Sequence, residues 1–240
     1  MRILLFDTET TGLPASKIIS PDTMHLWPHI VQFSYLIYDT ELECIVDTFD
    51  YIVKMKKDII IPEDSIKIHG VTNEMSDKFG VSIIEIFNQF FYYLKTVDEI
   101  VGHNISFDIN IIRVELLRLI YSTSEQCPKN DLNTQKYNLH AITNFKNIYC
   151  TMYESIDLCN IQAVSKNGKP YLKFPSLLEL HEKLFGSKPQ NLHNSLNDVI
   201  VTCRCYNKIK FGKDFLEKND KKNSLLLKQI FNSQVTVIVQ

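Results

Sequence analysis

The chain has 240 residues, 45% hydrophobic and 22% charged, which suits one large domain with a sizeable core. A formal net charge of −2 and a pI near 6.4 exclude a protein that coats duplex nucleic acid by charge alone. No apolar run reaches membrane-spanning length, so no membrane association is expected.

The first strand is predicted from about Arg2, where Ile3-Leu4-Leu5 runs into Phe6-Asp7-Thr8-Glu9-Thr10-Thr11-Gly12-Leu13. Strand side chains alternate, so Asp7 and Glu9 share a face and Thr8 takes the other. Ile30 to Tyr38 reads as a long strand with Val31, Phe33, Tyr35 and Ile37 on one face, pairing with Cys44 to Val53 as an antiparallel hairpin. Lys54-Met55-Lys56-Lys57 reads as a solvated turn or, alternatively, a phosphate contact. Ile61-Pro62-Glu63 breaks the chain, and a short segment leads to Ile68-His69-Gly70-Val71-Thr72. Apolar residues at helical spacing predict a helix over 82–94, a short strand follows over 99–102, and a second helix over 106–119. Residues 122–146 are polar and weakly periodic, an expected insertion or mobile loop. A strand is predicted at 147–151 and a helix over 177–185, ended by Gly186. The last helix spans 195–209 with the stripe Leu196, Val199, Ile200, Cys203. The tail ends in Val235-Thr236-Val237-Ile238-Val239, a strand candidate or partner-binding edge. This order implies an α/β fold with a mixed sheet.

The six cysteines (44, 127, 150, 159, 203, 205) form no zinc-type CxxC pair and are expected to be free thiols in a reducing compartment. The early first strand leaves no room for a signal or transit peptide ahead of Asp7. The expectation is therefore an intracellular protein, cytoplasmic or nuclear, of cellular or viral origin, and not secreted.

Three segments carry candidate chemistry. Asp7 and Glu9 repel each other at a strand end, and a hard divalent cation would relieve that repulsion; the plain alternative is a strand edge with two solvated acids. Asp108, in Gly102-His103-Asn104-Ile105-Ser106-Phe107-Asp108, sits where strand gives way to helix and can reach the same sheet end, or is an acid favoured by the helix dipole. In His193-Asn194-Ser195-Leu196-Asn197-Asp198, the histidine fits the loop before a helix and Asp198 faces the site beneath it. Their plain readings are a capping histidine and a solvated acid. His103 reads as a structural hydrogen-bonder.

Together FDTETTGL, GHNISFDINII and HNSLNDVIVT resemble the motifs of the DEDDh exonucleases, the DnaQ-like group of polymerase III proofreading subunits and their relatives. Ile68 to Thr72 is similar to the family's HG[IV]T segment, and Phe174 to Leu180 to its helix before the third motif. The tyrosine variant of the family would need Tyr at position 194, where this chain has Asn194. The resemblance covers 1–211, leaving 212–240 as a C-terminal extension.

This resemblance implies an RNase H-like fold and a 3′→5′ exonuclease that releases nucleoside 5′-monophosphates by a two-metal mechanism. It implies two divalent ions, Mg²⁺ with Mn²⁺ as an alternative, bound by Asp7, Glu9, Asp108 and Asp198, with His193 as general base. Thr10, Leu13 and His69 would contact the terminal nucleotide, and Asn104 and Phe107 would shape the site. The implied partner is a single-stranded nucleic acid 3′ end, DNA ahead of RNA. A polymerase or other protein is a candidate partner for the tail. The competing function is a non-catalytic module of the same fold that binds strand ends or scaffolds a polymerase. Oligomeric state is not readable from the chain.

Overall fold

The computed structural model describes residues 1–121, 129–214, 216 and 230. Its centre is a five-stranded sheet of β1 (Arg2–Thr10), β2 (Ile30–Asp39), β3 (Cys44–Ile52), β4 (Glu99–Gly102) and β5 (Ile148–Cys150), in the order β3-β2-β1-β4-β5. The β1–β2 and β2–β3 pairs are antiparallel; β1–β4 and β4–β5 are parallel. The carboxyl ends of β1, β4 and β5 therefore lie at one edge of the molecule.

The period of two in β1 divides the core. Leu4 and Phe6 pack with Phe33 and Tyr35 of β2 against Phe87 and Phe90 of α3 (Ile83–Leu94) and Ile111 and Ile112 of α4 (Ile105–Tyr121). Ile3 and Leu5 pack with Leu36 and Tyr38 against Leu177 and Leu180 of α8 (Leu177–Phe185) and Val199, Ile200 and Cys203 of α9 (Ser195–Phe211). Helices cover both faces, so β2 is buried at all ten positions rather than alternating. Burying each large aliphatic or Phe side chain of this core contributes about 1.5–3 kcal/mol. The mixed sheet, the four predicted helices and the predicted strands that fall among the described residues are all present.

Other segments differ from expectation. Residues 122–146 do not form one loop, because α5 (Lys129–Thr143) is a helix. Its buried side includes Ile142 against α4 but also Gln135 and Asn138, and those two amides hide the helical period from a hydropathy reading. Residues 61–80 hold two short helices, α1 (Glu63–His69) and α2 (Asn73–Phe79), where only a break was read. Pro62 caps α1, two acids fill its first turn, and Ile61 and Val71 flank it in a small cluster with Val31. After β5 come α6 (Thr151–Glu154) and α7 (Ile156–Cys159), then an unpredicted hairpin of β6 (Gln162–Val164) and β7 (Pro170–Leu172). Its signal was present in Asn167-Gly168, a favoured hairpin turn.

Lys54 pairs with Asp77 at 2.7 Å, as suits a turn residue. The described cysteines, 44, 150, 159, 203 and 205, are free thiols. The strand candidate 235–239 lies outside the described residues. Among the described residues no helix is long and apolar enough to cross a membrane.

Candidate active site

Asp7 and Glu9 end β1 on the side covered by α9, as their alternation requires. Asp198 lies in the first turn of α9. One carboxylate oxygen from each of the three lies within 4.8 Å of the others. All three are half-buried.

Polar contacts hold α9 in that place. The Asn194 side chain caps the helix by accepting from the Asn197 N–H. The Ser195 hydroxyl meets that of Ser34, and the Ser195 N–H donates to Gln32 Oε1 at 3.4 Å. Gln32 and Ser34 in turn donate to Asp50 Oδ1 at 2.8 and 2.7 Å. Gln32, Ser34 and Ser195 are buried, so these bonds fix how α9 sits on β2 and hence where Asp198 points.

Asp108 arrives differently. It stands in the first turn of α4 and is buried. Its Oδ1 accepts from both the N–H and the hydroxyl of Thr8, at 2.9 and 2.7 Å. Thr8 is the site residue that sequence reasoning missed: pointing away from Asp7 and Glu9, it faces α4 and holds the fourth carboxylate there. At the root of α4, Gly102 is required by close approach, since a Cβ there would lie 2.9 Å from the Ile105 side chain.

The four acids perturb each other. Burial holds Asp7 well above the usual carboxylate range, and the charges of Asp108, Asp198 and Glu9 add to the rise. Burial pushes Glu9 up to about 7. Asp198 is raised by burial and then by Glu9. Asp108 is also raised by burial, in part offset by the two Thr8 donors.

Asp198 gives a direct test of whether a cation fits. Its Oδ2 accepts from the His193 N–H at 3.2 Å, but its Oδ1 is buried with no hydrogen-bond partner. An orphaned carboxylate oxygen beside two further carboxylates is a suitable donor set for a hard divalent ion.

The other predicted residues lie on the segments that lead into and out of β1, α1, α4 and α9. His193 is exposed in the loop before α9, with a left-handed φ of 68°. Thr10 is buried where the β1–β2 register shifts, and its hydroxyl donates to the Gly12 carbonyl at 2.7 Å. Leu13, just past the Gly12 turn, is 84% exposed, so it is not a core residue. His69 is buried; its Nδ1 accepts from the Val71 N–H at 3.0 Å. The His69 Nε2 faces the Thr10 carbonyl without closing a well-formed hydrogen bond, and burial lowers the pKa of the ring. Asn104 takes a φ of 62° before α4, and Phe107 is half-buried against the α3 side of the core. His103 is the structural bonder expected: its ring contacts the Thr151 hydroxyl and the Pro175 carbonyl, both at 3.0 Å, and burial lowers its pKa to about 4. The neutral ring then donates through Nε2 to Pro175.

Residues 4–206 match the family model RNase_T, described as exonuclease. A search of curated proteins found no match. Among solved structures, the chain is similar to a moderately thermophilic exonuclease I from Methylocaldum szegediense, with 17% identity and a TM-score of 0.52, over 95% of this chain and 45% of that one. It is also similar to E. coli exonuclease I in complex with a dT13 oligonucleotide, with 16% identity and a TM-score of 0.56, over 94% of this chain and 43% of that one. The complex of E. coli exonuclease I with a dA16 oligonucleotide matches at 16% identity and a TM-score of 0.55, over 94% and 45%. This chain thus spans less than half the length of these structures, and at such identity the likeness is one of fold.

Proposed function

The chain belongs to the exonuclease family, and we propose that it is a divalent-metal-dependent 3′→5′ exonuclease acting on single-stranded nucleic acid, DNA ahead of RNA. The observation that carries this reading is the carboxylate cluster of Asp7, Glu9 and Asp198 with its one buried, unpartnered oxygen. The oligonucleotides bound by the exonuclease I structures support the choice of a single strand as substrate.

In this reading Asp7, Glu9 and Asp198 hold divalent cations, Mg²⁺ or Mn²⁺, with Asp108 contributing directly or through water. Two such ions supply positive charge against the scissile phosphate, favour hydroxide over water and stabilise the leaving oxygen. The residues of the chain do the rest. The two donors of Thr8 favour the ionised form of Asp108 and aim it. His193, exposed and with its backbone N–H on Asp198, takes the proton of the attacking water as general base. Water oxygen bonds to the terminal phosphorus, the bond to the preceding 3′ oxygen breaks, and that oxygen leaves to be protonated. A nucleoside 5′-monophosphate results. Leu13 wedges at the terminal base; Thr10 and His69 line its pocket; Asn104 and Phe107 shape the turn that presents Asp108. We take residues 1–211 as the catalytic domain and 212–240 as an extension.

The test is a time course on 5′-labelled single-stranded DNA and RNA of matched sequence, with Mg²⁺, Mn²⁺ or EDTA. A metal-dependent ladder shortening from the 3′ end is expected. Asp7→Ala, Asp108→Ala and Asp198→Ala should each abolish it while the protein stays folded. Activity retained in any of these purified variants would overturn the assignment, and a ladder shortening from the other end would overturn the polarity.

A further inference from the structure

Residues 161–174 read Ile-Gln-Ala-Val-Ser-Lys-Asn-Gly-Lys-Pro-Tyr-Leu-Lys-Phe, with three lysines, two aromatics and no acid, in a chain whose net charge is −2. They form the β6–β7 hairpin, turned at Asn167-Gly168 with Gly168 at a φ of 75°. Tyr171 and Phe174 are each 49% exposed. Tyr153 of α6 is 48% exposed and meets Phe174 edge-on, with ring centroids 5.2 Å apart. Lys166 and Lys169 are exposed and form no ion pair among the described residues, whereas Lys173 is held by Glu179 at 2.7 Å.

The root of this hairpin is fastened beside the acid cluster. His103 follows the carboxyl tip of β4 and lies five residues before Asp108; its ring grips the Pro175 carbonyl, next to Phe174, and the Thr151 hydroxyl, two residues before Tyr153. Thr151 also donates to the Gly102 carbonyl at 3.2 Å. Tyr153 therefore leaves the tip of β5 at the same sheet end as Asp7 and Glu9, two strands and roughly 10 Å to the side.

We propose that the β6–β7 hairpin and Tyr153 form a track for the single-stranded nucleic acid behind its 3′ end, with bases stacking on Tyr171 and on the Tyr153–Phe174 pair and phosphates meeting Lys166 and Lys169. The inference deepens, and rests on, the reading of the acid cluster as an exonuclease site. Exposed aromatics interleaved with unpaired lysines match the alternating π-faces and anionic phosphates of an unpaired strand. A duplex keeps its bases stacked on one another and has none to offer these rings. The root of the hairpin and β5 lie two strands to the side of β1, so these rings are assigned to nucleotides upstream of the one being removed.

The test uses the full chain in EDTA, where no turnover occurs, and follows fluorescence anisotropy of labelled oligo-dT and oligo-rU of about 20 nucleotides. Lys166→Glu/Lys169→Glu should weaken binding about tenfold or more and flatten the log–log salt dependence by about 1.4, the value for two phosphate contacts on a single strand. Tyr171→Ala should weaken binding about tenfold at an unchanged salt slope, because stacking releases no counterions. In both, the advantage of the long strand over a trinucleotide should shrink, and a melting curve matching the parent excludes misfolding. Wild-type affinity in both variants, or no affinity in the parent chain, overturns the track; that is also what a protein partner at this surface would give. A parent chain that binds strands but never shortens them with Mg²⁺ sinks the exonuclease reading instead. The dT and rU arms distinguish DNA from RNA.

Discussion

Thr8 shows how much of the site rests on one hydroxyl. Burial opposes the charge on Asp108, and the two donors of Thr8 favour it. Thr8→Val keeps the shape and the backbone N–H but removes the 2.7 Å bond, worth roughly 1.5–3 kcal/mol for a charged acceptor. We expect turnover to fall about tenfold or more and half-maximal activity to need more Mg²⁺, with Thr8→Ser restoring both. A Val variant with the parent's metal dependence would reduce Thr8 to packing. Asp7 and Glu9 were legible because a strand has a period of two and a shared face follows at once. The Thr8–Asp108 bond was not, because its partners are one hundred residues apart and meet only after α4 docks on the sheet. His193 could be placed in a loop by spacing, but its left-handed backbone depends on how α9 is seated.

At the scale of elements, the entry to β2 depends on α4. Glu115 Oε1 accepts from Arg118 at 2.7 Å and meets His29 Nδ1 at 3.0 Å and the Ile30 N–H at 3.3 Å. Burial alone would raise its pKa, yet His29 and Arg118 outweigh burial and hold it below the usual range. Arg118 also donates to the carbonyls of Met24, Trp27 and Pro28, so one guanidinium staples the whole 24–30 segment to α4. Arg118→Ala leaves a buried carboxylate short of its partner, a loss of roughly 3–5 kcal/mol, and should lower the melting temperature by on the order of 10 °C. Calorimetry that finds the parent's melting temperature would show the cluster to be energetically neutral. Legibility followed the same physics. α3, α8 and α9 announce themselves through apolar stripes and caps, including a Ser176–Glu179 capping box. α5 buries amides and was read as a loop; α1 and α2 run seven residues each, too short for a period to declare itself.

For the whole molecule, the four raised carboxylates couple folding, protons and metal. Unfolded Asp and Glu titrate near pH 4, whereas in the folded chain these acids keep their protons to higher pH, Glu9 to about 7. A group whose folded pKa is raised binds more protons folded than unfolded, so the metal-free chain loses stability as pH rises from about 4 through that window. Glu115, with its lowered pKa, acts in the opposite direction and costs stability as pH falls through its folded value. A divalent cation must displace the protons of the cluster, so its binding strengthens as pH rises. We therefore expect Mn²⁺ to raise the melting temperature more at about pH 8 than at about pH 5.5. Titration calorimetry in buffers of different ionisation heat should show proton release on binding, and Asp7→Ala should lose both effects. Equal shifts at the two pH values, with no protons released, would mean that the acids are already ionised without metal. No Mn²⁺ shift at either pH would leave the cluster a solvated strand end, the plain reading that Asp7 and Glu9 admit when taken alone.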